Sequence, residues 1–522
     1  MKKGVSAGMK LEGASVEWAL NSLLRNSDTD LFPRPIEINI LEKLLPDAVN
    51  DITKLNISNH NPTAPRRFIV PKDDLSYRVA SQLDPLDSII LTSLVYAFGK
   101  GIEARRRPTS EKRVFSYRFS PSVNGDLWQT NDSWNDFWGH CRALSEKYQY
   151  VLVTDISDFY NQIYHHTVEN QLIESGFPNP AIKWINRLLG TLTAKVSRGI
   201  PVGPHAAHIL AEAALIPVDN SLLARGLTYC RYVDDIMIFI SGKREARRSL
   251  SQLAEILDKQ QRLHLNRCKT SIYNTCNFQS LCDRMVEDQP LNDLERDLLN
   301  IVRLHSDGNP YHMVRISDLS EEELRSFSPA VVEKILSEYL SKEEPNFVRL
   351  RWFIRRLAQV GHPAAVEYIL DNFDEMLPAV SEICRYFMSV GVGASTVDWE
   401  TIGDRLINLL DSDIVKSNEY IQLSILHLFG KTPQLNHIAR LIRKYREAPP
   451  YNRRKIILAA AASGAVDWLR ELKEEVSVMD PWSKRAYLYA AYTLPADERS
   501  FFLRSVHPQG LLDKLIIRWA KA

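Results

Sequence analysis

Cysteine is scarce and unpaired. Six occur, at 141, 230, 268, 276, 282 and 384, with no C-x-x-C pair. That spacing excludes a paired-cysteine zinc site and a disulfide framework, and leaves reduced, mostly buried thiols. Long apolar runs are also missing: the longest, near Ser88 to Phe98, is too short to span a membrane. Met1-Lys2-Lys3-Gly4 is basic but no apolar core follows, so no secretory signal is expected and the cytoplasm is the expected location. Net charge is nearly absent, with 65 basic against 64 acidic side chains. Such balance excludes a general basic surface that coats long duplex nucleic acid. Any nucleic acid must then be met in local patches. Arg105-Arg106-Arg107 and Lys243-Arg244 with Arg247-Arg248 are the candidates, although charge runs of this kind are usually solvated faces.

What is present is ordinary globular composition, 45% hydrophobic and 25% charged over 522 residues, enough for two or three domains with substantial cores. The chemistry lies in two places. Tyr232-Val233-Asp234-Asp235 falls between the β-type runs Thr228–Arg231 and Ile236–Ile240, which puts two adjacent acids at a hairpin tip. Alone, an Asp-Asp pair in a turn is an ordinary turn signal. Its neighbours change its weight. Tyr150–Thr154 reads as a buried strand that ends in Asp155 before a turn into a helical stretch. If the two strands lie side by side, three carboxylates converge. Like charges held that closely repel, so a cation is expected to share the site. Carboxylates without a thiol or imidazole set favour hard Mg2+ or Mn2+. Two such ions serve in-line phosphoryl transfer.

With these elements in order, the chain resembles the reverse-transcriptase superfamily. Asp155 with Phe159-Tyr160 resembles its motif A, and Arg198-Gly199-Ile200-Pro201-Val202-Gly203-Pro204 its motif B. Tyr232-Val233-Asp234-Asp235 resembles motif C, and Leu265-Asn266 with Lys269-Thr270 the motif that follows. The resemblance implies an α+β fold: fingers and a palm with an antiparallel sheet and helices, then an all-α C-terminal domain. The expected division is an N-terminal helical segment over 1–60, fingers over 61–148, a palm over 149–288 and the helical domain over 289–522.

The resemblance also implies roles. Asp155, Asp234 and Asp235 would be metal ligands for two ions, with the Ile156 carbonyl added. Tyr160 would be the steric gate that excludes a ribose 2′-hydroxyl, making deoxynucleoside triphosphates the substrates. Lys72 and Arg78, on an expected hairpin of Arg67–Lys72 with Tyr77–Ala80, would grip the triphosphate. Gly199, Pro201 and Gly203 would let the backbone approach the base, glycine being permissive there. Lys269 would be the general acid toward pyrophosphate. Asp158 is expected to cap the next helix, and His165-His166 to lie on a helix surface.

Past about residue 290 the texture becomes helix after helix. Turn-like breaks recur at Gly361-His362-Pro363, Gly391-Val392-Gly393, Gly430-Lys431-Thr432-Pro433, Ser463-Gly464 and Pro495. Amphipathic pairs at such intervals point to a HEAT-like repeat array, with an irregular helical domain as the other reading. No thumb, RNase H or maturase pattern is visible. The motif B flank with its Ala-Glu, the run Asp158-Phe159-Tyr160-Asn161-Gln162-Ile163-Tyr164-His165-His166 and the helical C-terminal part resemble the abortive-infection (Abi) polymerases of bacteria, P2-prophage type. That resemblance implies antiphage defence and template-independent DNA synthesis. It also implies a single-stranded product covalently attached to a protein hydroxyl, and a homo-oligomer, trimer or hexamer. The priming residue stays open, because the first tyrosine is Tyr77. The alternatives are a conventional RNA-templated reverse transcriptase of retron or intron type, and a catalytically inactive scaffold that senses phage components.

Overall fold

The computed structural model describes residues 8–29, 31–129, 132–286, 290–306, 313–341, 345–391 and 397–521. Met1-Lys2-Lys3-Gly4, the expected boundary at 288 and 289, and Val392-Gly393 of one expected break lie outside the described residues. Two compact units divide the chain, Met1–Arg67 with Ser81–Gln289, and Phe68–Ala80 with Pro290–Ala522.

The first unit opens with helices α1 (Gly13–Asn26), α2 (Ile36–Lys43) and α3 (Leu45–Thr53). Along the chain, strands β1 (Arg66–Pro71) and β2 (Tyr77–Gln82) come next as a two-stranded sheet, of which Phe68–Ala80 falls in the second unit. Helix α4 (Pro85–Arg105) starts where Asp84 accepts from the Leu86 N–H and Pro85 takes the first turn, which needs no donor. Then come α5 (Ser133–Ser145), β3 (Tyr150–Asp155), α6 (Phe159–Gln162), α7 (His165–Glu174), α8 (Asn179–Leu192) and α9 (His205–Ala224). Strands β4 (Thr228–Tyr232) and β5 (Asp235–Ile240), helix α10 (Lys243–Gln261), strand β6 (Ser271–Asn274) and helix α11 (Thr275–Val286) complete it.

Strands β4-β5-β3-β6, in that order, make an antiparallel sheet. Side chains alternate across it, as the pleat requires. Val151, Cys230, Met237 and Phe239 join Phe137, Trp138, Cys141, Phe278 and Cys282 in an apolar cluster with α5 and α11. On β4, Tyr229 and Arg231 point the other way and reach Asp219 of α9. Helix α9 is buried on nearly every side, and its small residues Ala206, Ala207, Ala211, Ala213 and Ala214 permit that.

In the second unit, the helices Phe347–Val360, Val380–Gly391, Glu419–Lys431, Pro450–Ala462, Pro481–Ala490 and Leu511–Lys521 form a row in which each packs on the next. Shorter helices lie between them. A row of this kind gives each helix its core from its neighbours. The hairpin segment Phe68–Ala80 belongs to this unit by its contacts. The Phe68 ring lies 6.5 Å from that of Tyr420 and 5.1 Å from that of Tyr451, centroid to centroid. Asn418 Nδ2 donates to the Ile69 carbonyl at 3.1 Å, and Arg351 Nη1 to the Lys72 carbonyl at 2.9 Å.

Candidate active site

Strand register brings the acids together. Asp155, the last residue of β3, pairs across the sheet with Asp235, the first of β5. Tyr232 pairs with Asp235 across β4 and β5, so Val233 and Asp234 form a two-residue turn. Short hairpin turns of this kind need a positive φ at the first loop residue, and Val233 has φ 54°. The Ile156 N–H donates to the Asp234 carbonyl at 3.2 Å, tying the turn to the end of β3.

The expected cation is Lys269. Its Nζ lies 2.8 Å from Asp155 Oδ2, which also accepts from Asn266 Nδ2 at 3.2 Å. Burial opposes the charge on Lys269, but the Asp155 carboxylate, with Asp235 and Asp234 behind it, raises its pKa. Asp234 is pushed up to about 8, first by burial and then by repulsion from Asp155 and Asp235. Asp155 Oδ1 is buried, and among the described residues it accepts no hydrogen bond while Asp234 is ionised. One ammonium thus faces three carboxylates, one of them with an oxygen left unpaired when Asp234 is ionised. The donors are all hard oxygens, the class of ligand that Mg2+ and Mn2+ take. Among the described residues, no group of three or more His, Cys, Asp and Glu lies close enough together to hold a metal ion as it stands.

Tyr160 is held, not free. Its hydroxyl lies 2.5 Å from His208 Nδ1 of α9. Tyr117 stacks on His208 at 4.2 Å and Trp128 meets it edge-on at 5.8 Å. Burial first, with His205 nearby, lowers the His208 pKa to about 3, so the imidazole is neutral and Nδ1 can accept the tyrosine proton. His208, in the first turn of α9, was not foreseen from the sequence.

The loop before α9 is stitched to α6. The Ile200 N–H donates to the Tyr160 carbonyl at 2.9 Å and the Gly199 N–H to the Ile163 carbonyl at 2.8 Å. His165 Nε2 lies 2.8 Å from the Gly199 carbonyl, so His165 is a half-buried tie and not a helix-surface histidine. Gly203 has φ 125°, and a Cβ there would come within 3.1 Å of Thr29 Oγ1 and 3.2 Å of the Ser81 carbonyl. Glycine at 203 therefore serves the loop's own packing, beside the buried Pro201. Asp158 does not cap α6 through backbone amides. It accepts from the side chains of Asn161 at 2.6 Å and Gln162 at 3.0 Å.

Lys72 and Arg78 sit on the hairpin segment of the second unit, Lys72 exposed and Arg78 half-buried. Arg78 is close enough to Arg351 to help lower that guanidinium's pKa, behind burial as the larger cause. The triplet Arg105-Arg106-Arg107 is no nucleic-acid patch. Arg105 pairs with Glu174 and Arg107 with Glu111, while Arg106 is buried on Glu212 at 2.8 Å.

Residues 70–290 match the family model described as "Reverse transcriptase (RNA-dependent DNA polymerase)". The match is to a reverse-transcriptase domain. What such a domain supports is a nucleotidyltransferase, with nucleotides as substrates and nucleic acid as product. No curated protein matches the chain. Among solved structures, "Structure of telomerase from Candida albicans in complexe with TWJ fragment of telomeric RNA" is similar at 11% identity and a TM-score of 0.32, over 73% of this chain and 70% of that chain. Among the described residues, no helix is long and apolar enough to cross a membrane.

Proposed function

We propose that the reverse-transcriptase domain polymerises deoxynucleotides by two-metal nucleotidyl transfer, without a template and from a hydroxyl of the protein itself, in antiphage defence of the abortive-infection type. The observation that carries the chemical part is the corner of Asp155, Asp234 and Asp235, with its raised Asp234 and the Oδ1 of Asp155 that accepts no hydrogen bond while Asp234 is ionised. These carboxylates, with the Ile156 carbonyl, would hold two Mg2+ or Mn2+ ions. Bound there, such ions make a hydroxyl nucleophilic and offset charge on the departing pyrophosphate.

The chain's own groups supply the rest. Lys269, held charged by the carboxylates around it, would be the proton donor to pyrophosphate. Tyr160, whose hydroxyl is held by His208, would be the ring that excludes a 2′-hydroxyl. Lys72 and Arg78 would meet the triphosphate, and the segment with Gly199, Pro201 and Gly203 the base. The template-independent, protein-primed and defence parts, with a trimer or hexamer, rest on the Abi resemblance of the motif flanks and the helical C-terminal unit.

The test is purified protein with magnesium and labelled deoxynucleotides, without added nucleic acid, on a denaturing gel. Label that migrates with the boiled protein and is released by protease supports the proposal. Product that appears only with an annealed primer and template restores the conventional RNA-templated reading. No incorporation under either condition overturns the polymerase reading.

A further inference from the structure

The turn that carries Asp234 is built on a residue poorly suited to it. Val233 is β-branched, and a β-branched side chain at positive φ is a conformational outlier. Something must hold it there, and both of its peptide groups are held. The Val233 N–H donates to Ser116 Oγ at 2.9 Å, and the Val233 carbonyl accepts from Arg231 Nη1 at 2.8 Å.

Both holders are themselves anchored by hydrogen bonds. Arg231 is fully buried, and a lone buried guanidinium would not be tolerated. It forks onto Asp219, Nε to Oδ1 at 2.9 Å and Nη2 to Oδ2 at 2.7 Å, and it reaches Glu212 Oε2 at 2.9 Å. Glu212 also takes Arg106 Nη2 at 2.8 Å and the Ser116 hydroxyl. Arg106 in turn donates to the Ser116 carbonyl at 2.7 Å and the Tyr117 carbonyl at 2.8 Å, fixing the backbone that carries the hydroxyl. Two guanidiniums thus neutralise two carboxylates. Burial alone would raise Glu212, but Arg231 and Arg106 bring it below its ordinary value. Segment 113–115 is laced to β4 as well, the Arg231 N–H donating to the Arg113 carbonyl at 2.7 Å and the Phe115 N–H to the Arg231 carbonyl at 3.1 Å.

We propose that Ser116 and Arg231 are positioning residues of the catalytic turn, clamping Val233 in its left-handed conformation so that the carboxylates of Asp234 and Asp235 are aimed, while Asp219 and Glu212 orient Arg231, and Arg106 holds Glu212 and the backbone of Ser116. This rests on the proposed role of those two carboxylates. The clamp touches no reacting atom; it acts through the backbone on either side of Val233.

Arg231→Ala would leave Glu212 and Asp219 buried and underpaired, so loss of function there would be ambiguous. Ser116→Ala removes only one hydroxyl, and Glu212 keeps both arginines. The expected results are faster deuterium exchange in the peptide that spans the turn, weaker Mn2+ binding by electron paramagnetic resonance, and a kcat lowered about 10²-fold with little change in KM. The decisive arm is Ser116→Ala with Val233→Gly. Glycine adopts positive φ without steric cost, so much of the lost kcat and Mn2+ affinity should return. A merely structural serine would not be rescued in this way. Wild-type exchange, Mn2+ binding and kcat in Ser116→Ala would overturn the clamp, as would lost kcat with unchanged turn exchange or no recovery in the double variant. If the wild-type protein incorporates no nucleotide, the polymerase reading fails, while the exchange and Mn2+ arms still decide the clamp.

Discussion

Asp28→Asn should make the protein more stable above neutrality than its parent, and the difference should fade in acid. Asp28 is buried, accepts from Ser88 Oγ at 2.7 Å, and has its pKa raised from 3.8 to about 6 because burial outweighs that hydrogen bond. A carboxyl whose folded pKa lies above its unfolded value favours the fold only while protonated. Its contribution is complete below about pH 4 and lost as the pH climbs through about 6. At about 1.4 kcal/mol per decade, ionised Asp28 costs the folded state about 3 kcal/mol above pH 7. The amide brings a constant offset, since its N–H group needs an acceptor, about 1 kcal/mol if it finds none. The difference between variant and parent should therefore swing by about 2.4 kcal/mol between pH 4 and pH 7 whatever the offset. Unfolding by urea at a series of pH values measures it. Ser88→Ala supplies the control, because removing the donor that steadies the carboxylate should enlarge the parent's pH dependence. A flat difference would refute the reasoning and mean that Asp28 ionises at its ordinary pKa. The site matters because the Asp28 carbonyl accepts from the His205 N–H at 2.9 Å, at the start of α9, and Thr29 abuts Gly203.

Replacing Asp234 and Asp235 with Ala should abolish nucleotide incorporation without lowering the thermal midpoint, since repulsion at the turn is relieved; incorporation by a folded double variant would remove the two-metal reading. Chelation with EDTA should stop incorporation reversibly, with recovery on adding Mg2+ or Mn2+. Tyr160→Ala should relax discrimination against ribonucleotides in a competition assay, and His208→Ala should move it the same way to a smaller extent, because the ring loses its anchor. Lys269→Gln should lower kcat about 10²-fold with KM nearly unchanged, as loss of a general acid does; an unchanged kcat would reduce Lys269 to a counter-ion of Asp155.

The candidate site was legible because its chemistry is written in local sequence. An acid at the end of a β-branched run and a diacid between two such runs can be found by period and turn signals alone, and the register of Asp155 with Asp235 joins them. The buried network behind them was not legible. Arg106 stands in a row of three arginines whose outer members form surface ion pairs, and nothing in that row marks the middle one as core. Its partners Ser116 and Glu212, and the Asp219 that holds Arg231, come from separate parts of the chain. A buried charge is visible only once its partners are assembled, because burial without them is what physics forbids.

Sequence proximity misled in one further place, and the reason is energetic. Hairpin residues 68 to 80 lie next to α4 along the chain and were expected to share the fingers with it. Their side chains decide otherwise: Phe68 is 3% exposed because Tyr420 and Tyr451 cover it, and those residues arrive more than 350 positions later. A two-stranded hairpin is marginal on its own and needs a third layer. For residues 68 to 80 that layer is the helical row, which also takes up the Ile69 and Lys72 carbonyls through Asn418 and Arg351. Arg78 is thereby set among the helical unit's charged groups, close to Arg351 and Tyr420. Any triphosphate role for Lys72 and Arg78 is then subject to that unit, since substitutions at Phe68 or Asn418 that loosen the hairpin would displace both cations at once.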